Sequence, residues 1–121
     1  MKSDKSVLII DDETDLCLLL KDYFTRKKFT VTIAHTLLDG INSLHRQQPD
    51  ILLLDYNLVD GIGWNQAPVV ADLYPQTYII LISAFNTIPP PLPEGTKFSI
   101  MEKPISFADL NNQFAGYLAL S

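Results

Sequence analysis

The chain has little cysteine, little glycine, few basic residues and no long apolar run. Its 121 residues include one cysteine, Cys17, so an internal disulfide is excluded and a reducing compartment is the expectation. Nine Lys and Arg stand against fourteen Asp and Glu, a net charge of −5. A surface of that sign is a poor match for a phosphate backbone, so direct binding of DNA or RNA by this segment is not expected. No apolar stretch approaches the roughly 20 residues of a membrane-spanning helix. The opening MKSDKSVLIIDDE has too short an apolar run and too many acids for a secretory signal. These absences point to the cytoplasm and away from a membrane. What is present is apolar: 47% of the residues, enough to build a core. The length suits one domain, residues 1–121, with no internal repeat and no dividing linker.

Hydrophobic periodicity gives the order of elements. Residues 6–10 (SVLII) read as a buried strand. Residues 14–27 carry Leu16, Leu19, Leu20, Tyr23 and Phe24 at helical spacing and end in basic residues, as a helix C-terminus favours. FTVTIA, residues 29–34, alternates and is β-branched, so it reads as a strand. Leu37, Leu38, Ile41 and Leu44 mark a second helix, and ILLL at 51–54 a third strand. A short helix is expected over 65–73, with Pro68 tolerable in its first turn. YIILI at 78–82 and KFSIM at 97–101 are the fourth and fifth strands. Ser106 is placed to cap a last helix holding Phe107, Leu110, Phe114, Tyr117 and Leu118. Strands apolar on both faces, alternating with helices, predict an open, doubly wound parallel α/β domain.

Ligands in such folds sit beyond the carboxyl ends of the strands. The first strand ends in Asp11-Asp12-Glu13, the third in Asp55-Tyr56-Asn57, the fourth in Ser83-Ala84 and the fifth in Lys103-Pro104. The second, ending in Ala34-His35, is less polar. Asp11, Asp12 and Asp55 would converge on one edge of the sheet. Like charges held close disfavour one another unless something positive joins them, and a hard divalent cation such as Mg2+ takes carboxylate oxygens, waters and a phosphate. Lys103 adds a fixed positive charge and Ser83 a hydroxyl. That set can stabilise charge on a phosphoryl group carried by a carboxylate, and Asp55 is chemically sound as its acceptor. Each residue alone has a plainer reading: acids at a helix N-terminus, an aspartate in a turn, an exposed lysine. Four of them, each ending its own strand, favour one shared site. His35 and His45 read as surface residues, and Cys17 as packing on the first helix.

With VLIIDDE, PDILLLDYNLVDGIG, YIILISA and MEKPI in this order, the whole chain resembles the response regulator receiver domains of two-component signalling. The resemblance implies a flavodoxin-like, five-stranded parallel sheet of strand order 2-1-3-4-5. It implies that Asp55 accepts a phosphoryl group from a sensor histidine kinase or phosphotransfer protein. It implies Mg2+ held by Asp12 and Asp55, by the Asn57 carbonyl and by Asp11 through water. Ser83, Ala84 and Lys103 would hold the phosphoryl group, and Lys103-Pro104 would be cis. The only turnover implied is self-phosphorylation and its reversal by hydrolysis. Homodimerisation or docking of a downstream effector would carry the output.

Several positions depart from the family pattern. Val59 stands where proline is usual, Ile62-Gly63 where Asp-Gly is frequent, and Ile100 where an aromatic residue usually swings inward. Phe85 replaces a commonly polar residue, and slow loss of phosphate is the expectation. The family's fourth helix is replaced by IPPPLPEG, residues 88–95. Each proline removes a donor, and each residue before a proline leaves the α region. At most one turn, around 84–87, can form, with extended chain beyond it. A competing reading follows: a degenerate receiver acting as a constitutive interaction module. A phosphatase of the haloacid dehalogenase type would need a second aspartate where Asn57 stands.

Overall fold

The computed structural model describes residues 5–120. Five parallel strands form one sheet: β1 (Lys5–Ile10), β2 (Phe29–Ala34), β3 (Ile51–Asp55), β6 (Tyr78–Ser83) and β7 (Phe98–Glu102). Between β3 and β6 the chain forms a two-stranded antiparallel hairpin, β4 (Asn57–Leu58) and β5 (Gly61–Ile62). The sheet order is β2-β1-β3-β6-β7. With the hairpin set aside, this is the expected 2-1-3-4-5. The hairpin was not expected. Each arm is two residues long, too short to show alternation.

Four helices cover the sheet: α1 (Thr14–Arg26), α2 (Leu37–Gln47), α3 (Ala67–Leu73) and α4 (Phe107–Leu120). Side chains alternate across the sheet, so each strand feeds two cores. Val7, Ile9, Leu53, Ile80 and Met101 meet Leu20 and Phe24 of α1 and Leu110 and Tyr117 of α4. Leu8, Ile10, Leu52, Leu54 and Leu81 meet Leu44 of α2 and Ala67 and Val70 of α3. Val7 to Ile9, Ile51 to Leu54 and Ile79 are fully buried, each worth about 1.5–3 kcal/mol of transfer free energy. Leu38 is exposed, not part of the α2 stripe. Gly40 carries that packing, because a Cβ there would sit 2.5 Å from the Ile10 side chain.

The helix ends follow their sequence signals. Ser106 Oγ accepts from Asp109 N–H at 3.1 Å, and Asp109 Oδ2 accepts from Ser106 N–H at 3.1 Å. This is a reciprocal cap that leaves no doubt where α4 begins. A 3-10 turn over Gly63–Gln66 leads into α3, with Pro68 in its first turn.

Residues 84–97 contain no helix. Not even one helical turn forms at 84–87. Instead the Ser83 and Thr87 hydroxyls both donate to the Phe85 carbonyl, at 2.5 and 3.1 Å. The extended segment ends in a tight turn in which Thr96 N–H donates to Pro93 O and Gly95 adopts φ +86°, a conformation glycine takes without steric cost. Leu92 turns inward onto the core shared with α2 and α3, whereas Ile88 is 89% exposed. The uncovered face of β7 leaves Phe98 and Ile100 partly in solvent.

Candidate functional site

The carboxyl ends of β1, β3, β6 and β7 meet at one edge of the sheet. Asp11 follows β1 and is held there by its N–H to Ala34 O, 3.1 Å. It is fully buried, and Asp55, the last residue of β3, is 4% exposed. Asp12 is exposed. One carboxylate oxygen from each of the three lies within 4.8 Å of the others. Ser83 ends β6, buried. Lys103 follows β7, and its N–H donates to Ser83 O at 2.8 Å, tying the two strand ends together. The Lys103-Pro104 peptide is cis.

The Lys103 ammonium stands between the acids. Its Nζ lies 3.4 Å from Asp55 Oδ1, 3.2 Å from Asp11 Oδ2 and 2.5 Å from Glu13 Oε1. The Glu13 contact has hydrogen-bond geometry. The Asp11 contact is an ion pair by distance only, so buried Asp11 Oδ2 accepts no hydrogen bond. Asp11 Oδ1 accepts from Glu13 N–H at 2.8 Å. Glu13 therefore orients both the lysine and the buried aspartate. Its role was not foreseen in the sequence, where the third acid of DDE signals only the start of a helix.

Burial, then the neighbouring Asp11 charge, pushes the Asp55 carboxyl up to about 6, against the opposing pull of Lys103. Burial likewise holds Asp11 above the ordinary carboxylate range, although the Glu13 N–H and Lys103 draw it back. For Lys103, burial works against the ammonium. The bond to Glu13 and the charges of Asp11 and Asp55 outweigh it and hold the pKa above the usual lysine value. Cys17 lies behind the site, its Sγ donating to Asp11 O at 3.3 Å. Burial pushes its thiol up to about 12, so it is inert packing. His35 touches the Asp11 backbone carbonyl at 3.0 Å, and His45 pairs with the Tyr74 hydroxyl on the surface.

A cavity of about 390 Å3 opens over the acids. Asp12, Asp55, Asn57, Ser83, Ala84 and Lys103 line it, with Glu13 and Phe85 at its walls. Asp11 is buried beneath. The structure thus brings Asp11, Asp12, Asp55, Asn57, Ser83, Ala84 and Lys103, the site residues expected from the sequence, to one place. The β4–β5 hairpin presents Asn57 and is fixed at both ends. Gly63 N–H donates to Tyr56 O at 2.7 Å. Asp60 accepts from Leu37 N–H at 2.7 Å and Leu38 N–H at 3.0 Å, capping α2. These bonds hold the Asp60 carboxyl below its ordinary range.

The fold and this edge define a flavodoxin-like α/β domain with an acidic site at the carboxyl ends of its strands. The chain belongs to the response regulator receiver domain family, whose model matches residues 7–114. It is a receiver domain of two-component response regulators. It is similar to the response regulator protein PilR of Pseudomonas aeruginosa, 28% identical over 120 residues, or 98% of this chain and 27% of PilR. It is also similar to the regulatory protein LuxO of Vibrio cholerae, 29% identical over 80 residues, or 66% of this chain and 18% of LuxO. The chain thus spans about a quarter or less of these curated relatives. Among solved structures, a receiver domain protein of Methanospirillum hungatei superposes with a TM-score of 0.82 at 22% identity, covering 97% of this chain and 95% of that one. A two-component response regulator of Clostridium difficile gives 0.80 at 20%, covering 96% and 97%. At those identities the likeness is one of fold.

Proposed function

We propose that this receiver is phosphorylated on Asp55. An Asp55 carboxylate oxygen attacks the phosphorus of a phosphohistidine on a sensor histidine kinase or phosphotransfer protein. The P–O bond forms as the P–N bond breaks, and the departing imidazole takes up a proton. The product is an acyl phosphate that water later cleaves, regenerating the carboxylate. The observation that carries this reading is the placing of Lys103 Nζ 3.4 Å from Asp55 Oδ1 inside a cavity also lined by Ser83 and Asn57. Lys103 offers a positive charge to the phosphoryl oxygens. Ser83 now donates to Phe85 O, and its hydroxyl would be redirected to a phosphoryl oxygen. Ala84 forms the wall beside it.

The family implies Mg2+, and the residues fit it. Three carboxylates offer oxygens within 4.8 Å of one another, and one buried oxygen, Asp11 Oδ2, has no hydrogen-bond donor. Asp12, Asp55 and the Asn57 carbonyl would hold the ion directly and Asp11 through water, and when bound it would neutralise developing phosphoryl charge. One domain over 1–121, the cytoplasm as its compartment, and output through homodimerisation or a downstream effector belong to the same reading. Among the described residues no helix is long and apolar enough to cross a membrane.

Incubation with acetyl phosphate and Mg2+, followed by intact mass measurement, tests the proposal. Wild type should gain one phosphoryl group and Asp55→Asn none. An unmodified wild type would leave the constitutive interaction module as the better account. In the same assay the adduct should decay faster in Phe85→Ala, since Phe85 lines the cavity. Equal decay rates would remove the shielding role.

A further inference from the structure

The chain holds one tryptophan, and the core surrounds it: Trp64 is 1% exposed. It is aimed inward by its neighbour. Gly63 passes so close beneath the acceptor strand that a Cβ there would lie 2.1 Å from the Asp55 carbonyl oxygen. The 3-10 turn that starts at Gly63 then sends the indole under the sheet edge. Its Nε1 lies 3.1 Å from Leu54 O and 3.1 Å from Ile82 O. Those carbonyls belong to the residues immediately before Asp55 and Ser83.

This is where the β3–β6 ladder stops. Asp55↔Ile82 is its last register pair. Beyond it the β3 chain turns into the hairpin, and Tyr56 N–H reaches back to Ile82 O at 2.8 Å. That backbone bond is the last one across the two strands. The buried indole N–H, shared between the Leu54 and Ile82 carbonyls, adds a side-chain tie between β3 and β6 at the same place. The Tyr56 ring stands edge-on to the indole at 5.3 Å and 90°, closing the other side. An indole can only donate, and a buried donor without a partner is costly, so its orientation is strongly constrained. A plain core residue would require the bulk of the ring but not its N–H.

We propose that Trp64 is a positioning residue: its indole N–H fixes the separation of Asp55 and Ser83 so that both meet one phosphoryl group. The inference rests on the phosphoacceptor reading above. It is tested by titrating the domain with beryllofluoride in the presence of Mg2+, the bound fluoride being read by 19F NMR well below the melting temperature. Trp64→Phe should weaken binding about five- to tenfold, the scale of one buried hydrogen bond. Benzothienylalanine at position 64, which keeps the ring's shape and replaces N–H by sulfur, should do the same. In a Ser83→Ala background the loss from Trp64→Phe should shrink to less than about twofold, because the residue acts through Ser83. Affinity unchanged in the benzothienylalanine protein, or losses that simply add in the double variant, would reduce Trp64 to packing. If Trp64→Phe does not fold, the isosteric variant decides alone. Wild type that fails to bind beryllofluoride would overturn the phosphoacceptor reading itself, an outcome distinct from wild type binding and the variants matching it.

Discussion

Asp55 is held in a place where its ionised form is costly. Its carboxyl sits at about 6 in the fold against an ordinary 3.8, through burial and the charge of Asp11. The sign follows from proton linkage. Below about pH 4 the carboxyl is protonated whether the chain is folded or not. Between about 4 and 6 the unfolded chain ionises while the fold keeps its proton. Above about 6 both are ionised, and the stability the protonated carboxyl contributed is gone. A carboxyl moved from 3.8 to about 6 changes stability by at most about 3 kcal/mol. We therefore expect the melting temperature of the metal-free domain to fall from pH 4.5 to pH 7 more steeply in wild type than in Asp55→Asn. At pH 7 the variant should be the more stable by about 1–3 kcal/mol. Thermal unfolding followed by circular dichroism at both pH values checks this, and a variant less stable than wild type at pH 7 would contradict it. Lys103 limits the effect: its charge already offsets part of the repulsion between the two buried acids.

The β4–β5 hairpin shows at the scale of elements how local constraint builds a site. Gly63→Ala would drive a methyl into the Asp55 carbonyl, 2.1 Å away, with backbone and not a flexible side chain as the obstacle. The turn would have to move and take Trp64 and Asn57 with it. The expected loss exceeds about 3 kcal/mol, in the range of severe core lesions, measured by urea unfolding. A near-neutral Gly63→Ala would mean the hairpin yields more readily than this packing allows. The sheet and the strand-end residues were legible in the sequence because apolar runs ending in Asp11, Asp55 and Ser83 carry their own signal. The absence of a helix at 84–97 was legible too, since a proline's missing donor is a property of the residue. What filled that space was not. Leu92 turns in and Ile88 out through packing against the core, which depends on residues far away in sequence. Glu13, Asp60 and Trp64 act through hydrogen bonds to distant or backbone groups. Their types alone read as a helix start, a turn and a core residue.

For the whole molecule, the question is where a change at Asp55 would travel. One route runs along the β7 face. There Ile100 has no ring to rotate inward, no helix covers the Phe98 and Ile100 face of the strand, and prolines at 89–91 and 93 lock φ and carry no amide proton. The other route runs through the β4–β5 hairpin. Three hydrogen-bonded contacts mark it along the backbone of residues 56–64: the Trp64 indole to Ile82 O, Gly63 N–H to Tyr56 O, and the first amides of α2 to the Asp60 carboxylate. A displacement of Ser83 or Asp55 pulls directly on this segment, and bonded contacts transmit a shift more faithfully than an uncovered strand face does. We therefore expect beryllofluoride with Mg2+ to perturb backbone amides at 58–66 and 37–39 more than those at 98–101. The immediate neighbours of Ser83 and Lys103 are left out of the comparison because they touch the site itself. Two-dimensional 15N NMR of the free and saturated domain gives the map. Larger shifts at 98–101 would show that β7 relays the change without its aromatic residue. Larger shifts at 58–66 and 37–39 would place the working surface of this receiver at the hairpin and the start of α2.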